Sequence, residues 1–167
     1  MPTTQLSAGD LLFGDFSAEY ASTRRVLERY PDGRGTWRPH EKSRTVSELA
    51  THLADLPNRG VTVLQTEVFD VGTRAPVAPM DSAKDLLAHF EGAVRNLAAA
   101  VAAADFDHLE KPWTIRAGGK VLTQQPRRVM MRIMGMSHLV HHRAQLGVYY
   151  RLMGIPVPGI YGPSADD

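Results

Sequence analysis

The sequence predicts an all-α protein: an antiparallel four-helix bundle with a short extended or hairpin insert before the last helix. Three observations carry that expectation. Apolar residues recur at i, i+3/i+4 spacing over four separate stretches. Those stretches are bounded by helix caps and by Gly/Pro clusters. The one region where the period shortens lies between the third stretch and the fourth.

The first helix is expected from about Asp15 to Tyr30, with Phe16, Tyr20, Thr23, Val26, Leu27 and Tyr30 on one face and Pro31-Asp32-Gly33-Arg34-Gly35 ending it. Thr45-Val46-Ser47-Glu48 then reads as a capping box, Thr45 capping and Glu48 reaching back. The second helix follows, with Leu49, His52, Leu53, Leu56, Val63 and Leu64 inward. Pro57 removes a backbone donor and clashes with the preceding turn, so a kink or break is expected one turn after His52. Val71 to Met80, with Gly72, Pro76 and Pro79, reads as a loop.

A third helix begins at the Asp81/Ser82 cap and runs to about Ala104, with Leu86, Leu87, Phe90, Val94, Leu97 and Val101 inward. Trp113, Ile115, Val121 and Leu122 flank Gly118-Gly119 as two short extended pieces. The fourth helix starts near Pro126, a residue suited to a first turn, and ends at Met153 before Gly154. Its expected inward stripe is Met131, Met134, His138, His142, Gln145, Tyr149 and Leu152. The count comes to about two-thirds helix, well above the usual share.

Bulk properties narrow the function. The chain has 167 residues, enough for a single domain spanning 1–167 with a proper core. Nineteen basic and 18 acidic residues leave a net charge of +1, so no nucleic-acid footprint is expected. Met1-Pro2-Thr3-Thr4-Gln5 does not read as the start of a signal peptide. No stretch reaches the roughly 18 apolar residues of a membrane span. The expected setting is the cytoplasm. With 0 cysteines, a metal must be held by imidazole and oxygen, and any thiol must come from a substrate.

His138 and His142 are four residues apart, so about 400° of helical rotation stacks them on one face as a clamp for a divalent transition metal. Buried imidazoles need partners, and hydrogen bonding to carbonyls or to carboxylates of neighbouring helices is the plain alternative. His52, on another inward face, weighs against that alternative, because bundles build metal sites from facing helices. Three imidazoles leave a coordination position open for water or substrate. The expected cofactor is one divalent metal ion, nickel or zinc suiting imidazole best, with iron or manganese as further candidates.

His141 and Tyr149 are candidate catalytic groups, His141 being alternatively a supporting residue or a contact to a partner subunit. Glu48 and Asp55 lie four residues before and three after His52, where a carboxylate can accept an imidazole N–H and set the tautomer. Gln145 and Arg143 are further supports, although a salt bridge to a second-helix carboxylate explains Arg143 as well as substrate binding does. His40, His89 and His108 are expected to be surface or structural residues, and the methionines core filler.

Three strings, Glu48-Leu49-Ala50-Thr51-His52-Leu53-Ala54-Asp55-Leu56-Pro57, His138-Leu139-Val140-His141-His142-Arg143-Ala144-Gln145-Leu146 and Val157-Pro158-Gly159-Ile160-Tyr161-Gly162-Pro163, resemble the DinB-like family of helical-bundle proteins. The likeness covers nearly the whole chain; Ala144 departs from the glycine that the family typically carries. The resemblance implies a four-helix bundle holding one divalent metal, often nickel or zinc, on His52, His138 and His142, and frequently a homodimer. It also implies kinship with transferases and isomerases that use mycothiol, bacillithiol or glutathione.

Together these readings predict a metal-dependent thiol S-transferase, isomerase or hydrolase acting on a small molecule, possessing no nucleic-acid or membrane partner. The homodimer has independent support in the surplus apolar positions of the first and third helices. The rival reading is a non-catalytic stress-response protein whose metal holds the bundle together, and a third is a metal-free bundle.

Overall fold

A computed structural model describes residue 14, residues 16–73 and residues 75–167. The expectations for Asp15 and for Met1 to Gln5 lie outside the described residues. Helix α1 spans Phe16–Leu27 and buries Phe16, Thr23, Val26 and Leu27. It stops before the expected Tyr30, which is nonetheless buried and donates its hydroxyl to Asp81 Oδ1 at 2.7 Å.

Helix α2 spans Val46–Gln65. The capping box forms: Thr45 Oγ1 accepts from the Glu48 N–H, and Glu48 Oε2 accepts from the Thr45 N–H at 2.8 Å. The helix does not break at Pro57 but runs through it, and Pro57 is itself buried. Packing overrides the local cost. Leu49, Leu53, Leu56, Val63 and Leu64 are buried along the whole length, and at Gly60 the facing side chain of Leu97 comes so close that an added Cβ would lie 2.8 Å from its Cδ1.

Helix α3, Ala83–Ala102, is capped by Ser82, whose hydroxyl accepts from the Asp85 N–H. It buries Leu86, Phe90, Ala93 and Leu97, while Leu87, Val94 and Val101 are half-buried at its flanks. A short helix α4, Phe106–Glu110, is capped by Asp105 and precedes the two pieces expected to be extended.

The expectation of an all-α bundle is corrected here. Strand β1 is Val68–Asp70, β2 is Pro112–Ala117 and β3 is Lys120–Pro126. Among the described residues these form a three-stranded mixed sheet in the order β1-β2-β3, β1 parallel to β2 and β2 antiparallel to β3. Helix amounts to about 55% of the described residues, so the fold is mixed α/β. The hairpin turns at Gly118 (φ 54°) and Gly119 (φ 82°), two successive left-handed residues that suit a two-residue turn.

The sheet is part of the core and not an appendage. Trp113, 1% exposed, stacks on Phe69 and donates its indole N–H to Thr66 Oγ1 at 3.0 Å. Buried Arg127 ties the Thr66 and Pro112 carbonyls together, joining the end of α2 to the start of β2. Val63, Leu64, Leu97, Leu109, Met130 and Met131 pack around Trp113.

The last helical stretch has three parts: α5, Arg127–Met130; a π-helical segment, Met131–Ser137; and α6, His138–Leu152. A π turn takes up extra residues, so the buried stripe changes phase within it. Met131 is buried as expected, but α6 buries Leu139, Arg143, Leu146 and Tyr150. The expected stripe is therefore displaced by one residue. His138 and His142 are half-buried at its edge, Gln145 is exposed, and Leu152 is 62% exposed. Among the described residues no helix is long and apolar enough to cross a membrane.

Because Trp113 fills the sheet–helix junction and satisfies Thr66, Trp113→Ala is expected to destabilise the protein by about 3–5 kcal/mol in urea unfolding. A loss below about 1 kcal/mol would show that the sheet is only loosely attached to the helices.

Candidate metal centre

Helix α2 presents His52 to His138 and His142, which stand one turn apart at the start of α6. The His52 and His138 Nε2 atoms are 3.3 Å apart, and those of His138 and His142 are 2.8 Å apart. One nitrogen from each ring lies within 4.8 Å of the others, and all three side chains are half-buried. Nitrogens bound at about 2.0–2.1 Å in tetrahedral geometry stand about 3.3 Å from one another, so this donor set fits a single metal ion. Among the described residues no further His, Cys, Asp or Glu joins the cluster.

The surroundings keep the imidazoles neutral, as ligation requires. Burial, reinforced by the Arg44 charge and by the other two imidazoles, pushes His52 from 6.5 down to about 3. Burial and the neighbouring His142 push His138 down to about 4. His142 is also lowered by burial, partly opposed by Gln145. Gln145 Oε1 accepts from His142 Nδ1 at 2.7 Å, which leaves the Nε2 lone pair facing His138 and the cluster.

The other sequence candidates divide. Gln145 supports a ligand. Asp55 is buried but accepts from His89 Nε2 (3.2 Å) and Asn58 Nδ2 (2.9 Å), not from His52. Glu48 belongs to the capping box, so neither carboxylate sets the His52 tautomer. Arg143 turns away from the cluster, as spacing on α6 demands. It is 3% exposed, pairs with Glu19 Oε2 at 2.6 Å, and donates to Tyr161 Oη and the Glu19 carbonyl. Its partner thus lies on α1, not on the second helix.

His141 is exposed, its ring 4.9 Å from that of His142. Tyr149 donates to the Arg44 carbonyl at 3.3 Å and packs edge-on against Trp37. His108 lies on α4 and bonds the Leu64 carbonyl at the end of α2, while His40 Nδ1 accepts from the Lys42 N–H.

A cavity of about 480 Å³ opens beside His52. Its lining includes Arg44, Arg59, Thr51, Asp55 and the short apolar run Ala75 to Pro79. Sequence reasoning missed both arginines. Arg59 was detectable, since it lies seven residues, or about two turns, after His52 on the same helix. Arg44 precedes the cap, and nothing in the local pattern points it toward the last helix.

Three imidazoles from two facing helices, beside an open cavity, make this a protein able to hold a divalent metal ion. The chain belongs to the DinB family, whose sequence profile matches residues 1–167. Its fold is similar to that of a DinB-like protein from Bacillus cereus ATCC 10987, at a TM-score of 0.67 and 19% identity, over 90% of this chain and 95% of that one. A DinB-like protein from Bacillus subtilis is similar too, at a TM-score of 0.65 and 18% identity, over 87% and 96% of the respective chains. No curated protein matches the chain.

The depressed imidazoles have a thermodynamic consequence. In the unfolded chain histidine protonates near 6.5; in the fold His138 and His52 protonate only near 4 and 3. Between those limits the unfolded state binds more protons, so their contribution is present above about pH 6.5 and is lost as pH falls toward 4. The melting temperature of chelator-treated protein is expected to drop from pH 7 to pH 5, and His138→Ala is expected to flatten that drop. Equal slopes for the two proteins would contradict the assignment.

Arg143→Ala leaves Glu19 partly buried without its cation and is expected to cost about 3–5 kcal/mol of stability. Metal stoichiometry, read by elemental analysis of folded variant, is expected to be unchanged.

Proposed function

We propose that the protein is a metal-dependent enzyme of the thiol S-transferase, isomerase or hydrolase type, acting on a small electrophilic molecule. The observation that carries this reading is the open ligand set. Three imidazoles converge, and one of them, His52, lines a solvent-reaching cavity of about 480 Å³, whereas structural sites are usually closed by a fourth protein ligand. Nickel or zinc suits such a set best, with iron or manganese as further candidates.

When bound, the divalent ion supplies Lewis acidity, which lowers the pKa of a thiol or water in its open position. The chain's own groups do the rest. His52, His138 and His142 hold the site in neutral form, and Gln145 holds His142 in the tautomer whose Nε2 is free to ligate. The run Ala75 to Pro79 supplies an apolar wall to the cavity. The absence of cysteine is consistent with a thiol brought in as co-substrate. A homodimer is part of the same reading, supported by exposed Val148 and Leu152 on one side of α6.

Untagged protein is expected to carry about one equivalent of metal per chain, lost in His138→Ala and His52→Ala. A panel of low-molecular-weight thiols with a generic electrophile is expected to show turnover that falls at least about a hundredfold in His138→Ala. Stoichiometric metal with a large thermal stabilisation and no turnover with any thiol or ester would favour the non-catalytic reading instead.

A further inference from the structure

The cavity beside His52 has an uneven charge inventory. Its two carboxylates are committed within the fold: Glu48 to the Thr45 N–H, and Asp55 to His89 and Asn58. Arg44 also lines the cavity, yet its guanidinium makes no ion pair among the described residues. It shares that lining with His52, the imidazole of the cluster that faces the cavity.

Arg44 is also held in place. Tyr149, one turn beyond Gln145 on α6, donates its hydroxyl to the Arg44 carbonyl, and its ring is packed edge-on by Trp37 at 5.5 Å. The Arg44 backbone is thus tied to the helix that carries His138 and His142. An anchored backbone reduces the conformational freedom lost when the guanidinium engages a ligand.

A guanidinium in the same cavity as His52 adds positive charge to a place where a divalent cation would add more. Like charges at such range raise one another's free energy, and an anion between them relieves the repulsion. A planar fork of donors matches the two oxygens of a carboxylate or a phosphate. The wall opposite in composition, Ala75 to Pro79, suits a short apolar body.

We propose that Arg44 is a substrate-recognition residue, and that the cavity takes a small molecule bearing one carboxylate or phosphate on a short apolar body. The anion is held by Arg44, and the reactive end faces His52, His138 and His142. This rests on the metal-enzyme reading for the reactive end, but the anion site stands on Arg44 and the cavity alone.

The test is calorimetric titration of zinc-loaded and chelator-treated protein with butyrate and, separately, inorganic phosphate, with metal stoichiometry measured on the same samples. Wild-type protein is expected to bind at least one of the two in the millimolar range or tighter. Arg44→Ala is expected to weaken that binding about tenfold or more with metal content unchanged, and Arg44→Lys to fall between. Which anion binds tells carboxylate from phosphate. Equal affinity in wild type and Arg44→Ala, or no binding of either anion by folded wild-type protein, overturns the proposal. Failure to retain metal with Arg44-dependent anion binding intact would instead count against the metal-enzyme reading only.

Discussion

The burial of α2 is the constraint on which the rest of the structure depends. This helix packs against α3 more extensively than any other pair of helices does, and it also meets α6, the π segment and β1. Leu49, Leu53, Leu56 and Val63 are at most 1% exposed, and burial of one such side chain contributes about 1.5–3 kcal/mol. That apolar anchoring outweighs the local cost of Pro57 inside the helix, about 3 kcal/mol or more. It also fixes the rotation of α2, and the same rotation that buries Leu53 sets His52 at the edge facing α6.

The π segment is the second device. An α-helix running straight from Arg127 would carry one buried face from Met131 through His138 to Gln145. The extra residues taken up between Met131 and Ser137 move that face to Leu139, Arg143, Leu146 and Tyr150. The histidines consequently stand half-buried at the flank of the core, next to His52, which lines the cavity. There the imidazoles are desolvated enough to stay neutral, yet reachable by a small molecule. Full burial would have made a closed site, and full exposure would have left them protonated through mildly acidic pH.

Much of this could be read from particular residues. The Thr45/Glu48 box, the Ser82 cap and the Gly118-Gly119 turn depend on neighbours within four positions, so local chemistry reveals them. The three-residue strand β1 could not be read, because its pairing partner Thr114 to Arg116 is more than forty residues away and so short a run has no period of its own. That one strand turns an expected hairpin into a mixed sheet and an expected all-α bundle into an α/β fold. Asp55 and Glu48 were misjudged for a related reason. Spacing on a helix shows which face a carboxylate shares, but not the competing donors, His89 for one and the Thr45 N–H for the other.

The sequence by itself determined which residue types are available for chemistry. With no cysteine, any metal had to be held by imidazole and oxygen, and helix geometry alone stacks His138 over His142. Tertiary structure decided the remainder: that His52 completes the set, that Gln145 and not a carboxylate orients His142, that Arg143 serves the core, and that Arg44 reaches the cavity. The physical reason is range. Stacking along a helix is fixed by a few backbone dihedrals, whereas the meeting of residues 86 positions apart, as His52 and His138 are, is set by how whole apolar faces pack.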